Sequence, residues 1–158
     1  MPVRFSFLFI ALFASLLSLF IGESHAEGPF DNMRGSWSGV GTITLTNGGQ
    51  ERIRCRASYS PSGPNLRMTL VCASDSYKVD LASQIDSRGD QIRGTWREAT
   101  RQVNGDLEGT VSGGNIQVAV KSAMFSASLN VRTSGSNQSI SITAPGTEVS
   151  RVAIALKR

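Results

Sequence analysis

Few side chains in this chain are equipped for acid–base, nucleophilic or metal chemistry. It has one histidine, His25, and beyond that position no imidazole can serve as a ligand, a general base or a pH switch. Glu98 is the carboxylate of most interest, because alternation with Ile92, Gly94 and Trp96 turns it inward. A buried carboxylate needs a partner, a shifted pKa or a route to water. No second carboxylate is positioned to complete a glycosidase-like pair. Serines are scattered without a base, and Gly113-Gly114 lacks the lysine and helix of a phosphate loop. Arg88-Gly89-Asp90 and Asn137-Gln138-Ser139 are strings too short to define an adhesion or glycosylation site. The expectation is a protein that is not an enzyme, with no catalytic residue, metal site or cofactor.

Binding chemistry is better represented. Trp37, Tyr59, Tyr77 and Trp96 all carry inward parity and, with Glu98, are the candidates for an apolar site oriented by a few polar groups. The simpler reading packs Trp37 and Trp96 into the core near the barrel ends. Arg52, Arg54 and Arg56 alternate along an outward face with Arg67 on the next segment, and Arg93, Arg97 and Arg101 form a second outward row. These arginines are the candidates for an interaction surface, against the simpler reading of a solvated strand face. The net charge of +4 is mild, and no basic-aromatic recognition module points to nucleic acid.

The elements that must hold these residues are strands. Period-two alternation recurs between turn signals, and no helical pattern is evident after the N-terminal apolar run. Ser36–Thr46 places Trp37, Ile43 and Leu45 on one face, and Asn47-Gly48-Gly49 then reverses the chain. Glu51–Tyr59 and Leu66–Ala73 form a hairpin about Ser60–Asn65, which sets Cys55 opposite Cys72, Ala57 opposite Leu70 and Tyr59 opposite Met68. Directly opposed cysteines of a narrow antiparallel pair satisfy disulfide geometry, so a Cys55–Cys72 bridge is expected. Ser74-Asp75 as a two-residue turn would pair Cys72 with Tyr77, Leu70 with Val79 and Met68 with Leu81. Ser87–Asp90 would pair Ile85 with Ile92 and Leu81 with Trp96, bringing Asp80 near Arg97. Asn104-Gly105 is the strongest short hairpin signal and would set Arg101 opposite Glu108. Gly113-Gly114 pairs Val111 with Ile116, Gly109 with Val118 and Leu107 with Val120. Strands around Phe125–Val131, Ile140–Ile142 and Val152–Leu156 complete the chain.

The fold class is therefore all-β: an antiparallel up-and-down meander of about eight to ten strands, closed into a barrel that removes exposed edges. A two-sheet sandwich is the alternative. A membrane barrel is disfavoured by arginine, serine and threonine on the outward face. Glycine recurs beside inward residues in GSWSGVGT, RGTWRE and LEGTV, where it would permit curvature.

At the start of the chain, Arg4 precedes an apolar run from Phe5 to Ile21 and then Ser24-His25-Ala26. This pattern is that of a secretory signal cleaved after Ala26. The expected organisation is a signal at 1–26, an extension at 27–35 and one barrel domain at 36–158. Export to the periplasm or beyond supplies the oxidising compartment a disulfide requires. The Glu27–Arg34 segment either plugs an opening or stays mobile.

A secretory peptide, Gly35-Ser36-Trp37 on the first strand, an all-β meander and one disulfide together resemble small exported lipocalin-like or avidin-like barrels. The resemblance spans Arg34–Lys157 in outline. It implies a binding protein, although no binding residue can be carried over by a motif match. The leading expectation is thus a noncatalytic periplasmic or secreted protein that binds a small, partly apolar ligand. The alternative is an interaction module, such as an inhibitor or envelope-associated adaptor, meeting a protein or an anionic envelope component.

Overall fold

The computed structural model describes residues 27–158; the expected signal segment lies outside them. Ten antiparallel strands follow one another around a closed barrel: β1 (Gly35–Leu45), β2 (Gln50–Ser62), β3 (Asn65–Ala73), β4 (Lys78–Arg88), β5 (Gln91–Glu98), β6 (Val103–Ser112), β7 (Asn115–Ser122), β8 (Ser126–Ser134), β9 (Asn137–Thr143) and β10 (Val149–Lys157). Each strand pairs with its sequence neighbours, and β10 pairs with β1 to close the wall. Burial alternates along every strand, most cleanly in β2, where Ile53, Cys55, Ala57 and Tyr59 are buried and Arg52, Arg54, Arg56 and Ser58 are exposed. No helix among the described residues is long and apolar enough to cross a membrane.

The β2–β3 hairpin has the expected register throughout: Cys55 faces Cys72, Ala57 faces Leu70 and Tyr59 faces Met68. The Cys55–Cys72 disulfide is formed, with the two Cα atoms 4.1 Å apart, the close spacing of a narrow antiparallel pair. The β6–β7 pairings also match.

Three neighbouring registers differ from expectation. Cys72 faces Val79, Leu70 faces Leu81 and Met68 faces Ser83, because the turn takes in Tyr77. The Ser74 N–H donates to the Tyr77 carbonyl at 2.8 Å, and the Tyr77 N–H donates to Ser74 Oγ at 3.0 Å. Between β4 and β5 the reversal contracts onto Gly89-Asp90, so Ile92 faces Ser87 and Leu81 faces Glu98. Arg97 consequently lies across from Ala82 rather than beside Asp80. Both changes are displacements by two residues, which preserve the inward and outward faces.

The third difference is a relocated turn. Asn104 and Gly105 lie inside β6, and the chain reverses instead over Ala99–Gln102, with Gln102 at a φ of 54°. Gly105 faces Trp96 and Ser122, at a place where a Cβ would collide with the Lys121 carbonyl. Its glycine serves close strand approach rather than a turn. Arg93, not Arg101, stands opposite Glu108. Glu108 instead accepts a hydrogen bond from Lys121 Nζ at 2.9 Å.

The two ends of the barrel are finished differently. Before β1, a single 3-10 turn at Asp31–Met33 folds over the end where β1 starts. Phe30 and Met33 from this segment are 0% and 1% exposed, so it seals that end. Its conformation is held by Asp31, whose carboxylate accepts from the Gly28 N–H at 2.6 Å and from Arg34 Nη2 at 2.6 Å.

Candidate functional site

At the sealed end the inward residues are packed and their polar atoms are consumed. The Trp37 indole N–H donates to the Met33 carbonyl at 2.7 Å, and the Arg158 guanidinium lies 4.7 Å from the ring centroid. The Tyr59 hydroxyl donates to Gln138 Oε1 at 2.7 Å, and Gln138 Nε2 donates to Thr133 Oγ1 at 2.9 Å. Gln138 and Thr133 are buried. Burial of the Tyr59 ring drives its phenol pKa far up, and the hydrogen bond to Gln138 offsets only part of that. A buried polar chain with every atom satisfied fixes the geometry of this end.

The opposite end is less completely covered. Leu45, Tyr77, Val79, Leu81, Val103, Val120, Phe125, Ile142, Val149 and Val152 cluster toward it, and each keeps part of its surface in reach of solvent. Leu129, deeper on β8 between buried Ala127 and Val131, is also only partly covered. That end of the wall, where β1 finishes and β2 begins, is the mouth of the barrel. The rim includes Met124, 74% exposed, on a turn that the Ser122 hydroxyl holds by accepting from the N–H groups of Met124 and Phe125 at 3.1 Å each.

Trp96 stands below this mouth. Its indole N–H donates to the Asp106 carbonyl at 3.2 Å, and its ring centroid lies 5.9 Å from that of Phe125 at an interplanar angle of 45°. This tilted contact is a favourable aromatic geometry. Tyr77 lies on the rim and donates its hydroxyl to Glu148 Oε1 at 3.3 Å. Desolvation raises the Tyr77 pKa, and the Glu148 charge and hydrogen bond add to it, so the phenol stays a neutral donor.

Glu98 is 8% exposed, and its carboxylate faces the turn that follows it. Oε1 accepts from the Asp80 N–H at 2.9 Å, the Thr100 N–H at 3.1 Å and the Thr100 hydroxyl at 2.6 Å. Oε2 accepts from the Arg101 N–H at 2.8 Å, with Arg101 Nη1 at 3.8 Å. Burial alone would raise its pKa, but these donors outweigh burial and hold it below the usual carboxylate value.

The five ligand candidates thus divide. Tyr77, Trp96 and Glu98 belong to the open half, while Trp37 and Tyr59 form the sealed end. Phe125 and Leu129 had the correct parity in the sequence, but only closure reveals that they line the accessible half. Gln138 and Thr133 carry no charge to mark their inward positions, and their pairing with Tyr59 emerges only when the barrel closes. No group of three or more His, Cys, Asp and Glu gathers among the described residues.

The surface arginines divide as well. Arg93 lies between Asp86 on β4 and Glu108 on β6, and Arg97 shares this acidic side of the barrel with Asp80 and Asp106. Arg52, Arg54 and Arg56 on β2 and Arg67 on β3 are exposed on a side whose outward positions hold no carboxylate.

No family model matches the sequence, and a search of curated proteins finds no match. Solved structures do share the fold. The crystal structure of Rv2717c from M. tuberculosis superposes with a TM-score of 0.67 at 16% identity, covering 82% of this chain and 94% of that one. The S-type phycobiliprotein lyase CPES from Guillardia theta superposes with a TM-score of 0.58 at 9% identity, covering 82% of this chain and 89% of that one. At these identities the likeness establishes an antiparallel barrel architecture, and the fold is the extent of what it shows.

Proposed function

We propose that the chain is a noncatalytic, exported binding protein that takes a small, partly apolar molecule through the open end of its barrel. The reading rests on one observation: apart from Met68, inward apolar side chains are covered at one end, and at the other they are left partly in reach of solvent. Burying such surface against a ligand is favourable by about 25 cal/mol per Å². Wall size supports the same reading, since side chains just fill an eight-stranded barrel and the interior widens with strand number. Ten strands surround this interior, and Ala57, Ala127 and Ser83 add little bulk to it.

Trp96 and Phe125 would contact the apolar body of the ligand, and the Tyr77–Glu148 pair would meet a polar group at the rim. Glu98 supports the mouth rather than the ligand, because its oxygens are engaged by the Ala99–Gln102 turn. This arrangement is lipocalin-like in having one sealed and one open end. The disulfide favours an oxidising compartment, periplasmic or extracellular.

The test is native mass spectrometry of the purified protein, followed by titration with fatty acids, isoprenoids and aromatic acids while tryptophan emission is recorded. The expected result is a retained or titrating ligand that changes Trp96 emission, a response lost in Trp96→Phe and preserved in Trp37→Phe. Recovery of empty protein with unchanged emission across the panel would refute the reading.

A further inference from the structure

The outer wall carries several grooves, and one is set apart by the charge around it. A groove of about 750 Å³ crosses β2, β1, β10 and β9, and a second of about 560 Å³ continues it onto β8; both contain Val40, Ser139 and Ala155. Gly39 and Gly41 face inward where a Cβ would run into the β10 carbonyls of Ala155 and Ala153, so glycine permits the close approach of β1 and β10 beneath the groove.

The floor is made of short side chains in register. Val40 faces Ala155, which faces Ser139; Thr42 faces Ala153, which faces Ser141. Cations surround it. Arg54 lies across from Val40 and Arg52 across from Thr42 on one bank, and Arg132 lies across from Ser139 on the other. Arg151 and Lys157 stand at the two ends of β10. The banks on β2 and β8 are four strand spacings apart, roughly 19 Å at ~4.8 Å each.

None of these five cations forms an ion pair among the described residues. Outward positions on β8, β9, β10, β1, β2 and β3 carry no carboxylate, whereas β4 and β6 carry Asp80, Asp86, Asp106 and Glu108. Glu51, at the open-end margin of the groove, accepts the Ser76 N–H at 3.0 Å.

We infer that this groove binds an acidic polysaccharide. Guanidinium forks match carboxylate and sulfate groups in paired hydrogen bonds, and Ser38, Thr42, Ser139, Ser141 and Asn137 offer donors and acceptors to sugar hydroxyls. A short-chained floor lets a glycan approach the backbone. The groove has no aromatic side chain on which nucleic-acid bases could stack. Its concavity fits a single chain better than a flat bilayer. A closed barrel also lacks the free edge an extended peptide would need.

The test uses the purified chain against immobilised heparin and polygalacturonate at about 0.15 M salt, where charges beyond about 8 Å are screened. Ala155→Glu puts a carboxylate on the floor, and Ala119→Glu makes the same change in net charge on exposed β7, away from the groove. The expected result is about tenfold weaker binding for Ala155→Glu and less than about twofold for Ala119→Glu. Arg54→Ser with Arg132→Ser should reproduce the loss and Arg93→Ser with Arg97→Ser should not, which keeps the test decisive if Ala155→Glu misfolds. Equal weakening by the two glutamates, or no binding of the parent protein to either polysaccharide, overturns the inference. Tighter binding to phosphatidylglycerol vesicles or oligo(dT) than to both polysaccharides, lost in the same groove variants, overturns the glycan assignment.

Discussion

At the scale of single residues, Glu98 shows how a carboxylate with inward parity is accommodated without becoming reactive. It terminates β5 and replaces a hydrogen-bonded hairpin end with charge-assisted bonds to three backbone N–H groups. Glu98→Ala leaves those donors without a partner and should lower unfolding free energy by about 2–3 kcal/mol. Glu98→Gln should lower it by about 1–2 kcal/mol, since one amide oxygen still accepts while the amide NH2 meets a donor. Because the folded pKa lies below the unfolded value, the Glu98 contribution is complete above the unfolded pKa, near 4.3. It declines as pH falls through the folded value. Urea denaturation across the acid range should therefore show the parent losing its advantage over Glu98→Gln as pH drops. A difference constant down to the lowest pH would contradict this account. The exposed Lys121–Glu108 pair should matter far less, as surface pairs generally do.

At the scale of elements, the displacement of the expected Asn104-Gly105 turn to Ala99–Gln102 separates what the sequence revealed from what it did not. Asn104-Gly105 is a strong local signal, yet the carboxylate two residues before Thr100 organises an earlier turn, and Gly105 is needed where β6 meets β7. Gly105→Ala should cost upwards of about 2 kcal/mol, because the added methyl meets the Lys121 carbonyl of a neighbouring strand rather than a movable side chain. A Gly105→Ala melt indistinguishable from the parent would mean the strands can separate there without penalty. Side-chain parity was legible because turn-length errors at Tyr77 and Gly89 moved registers by two residues and left each face unchanged. Turn lengths were not, since they depend on side-chain bonds such as Ser74 to Tyr77. The β2–β3 hairpin was legible in full because its cysteines mark one pair and so fix the rest. With a sequence separation of 17, losing that bridge in Cys55→Ala/Cys72→Ala should cost about 3 kcal/mol, measurable by denaturant titration against the oxidised parent.

At the scale of the whole molecule, the two ends of the barrel are finished differently, and its two tryptophans report on different ends. The difference was hidden in the sequence because Trp37 and Trp96 follow the same glycine-flanked pattern; only the Phe30–Met33 segment, folding over one end, sets them apart. Phe30 is among the largest fully buried side chains, so Phe30→Ala should lower stability by about 3–5 kcal/mol. Met33 supplies Trp37 with a carbonyl rather than a side-chain acceptor, so the indole bond can survive Met33→Ala while the ring gains water contact. In Met33→Ala, Trp37 emission should therefore move to longer wavelength while Trp96 emission, isolated in a Trp37→Phe background, stays in place. Affinity for any molecule entering at the mouth should change by less than about threefold, because buried mid-strand residues such as Cys55, Leu70, Leu107 and Val118 lie between the base and Phe125. A matching red shift in both tryptophans would show that the two ends loosen together, and the division into a structural base and an adaptable mouth would then have to be abandoned.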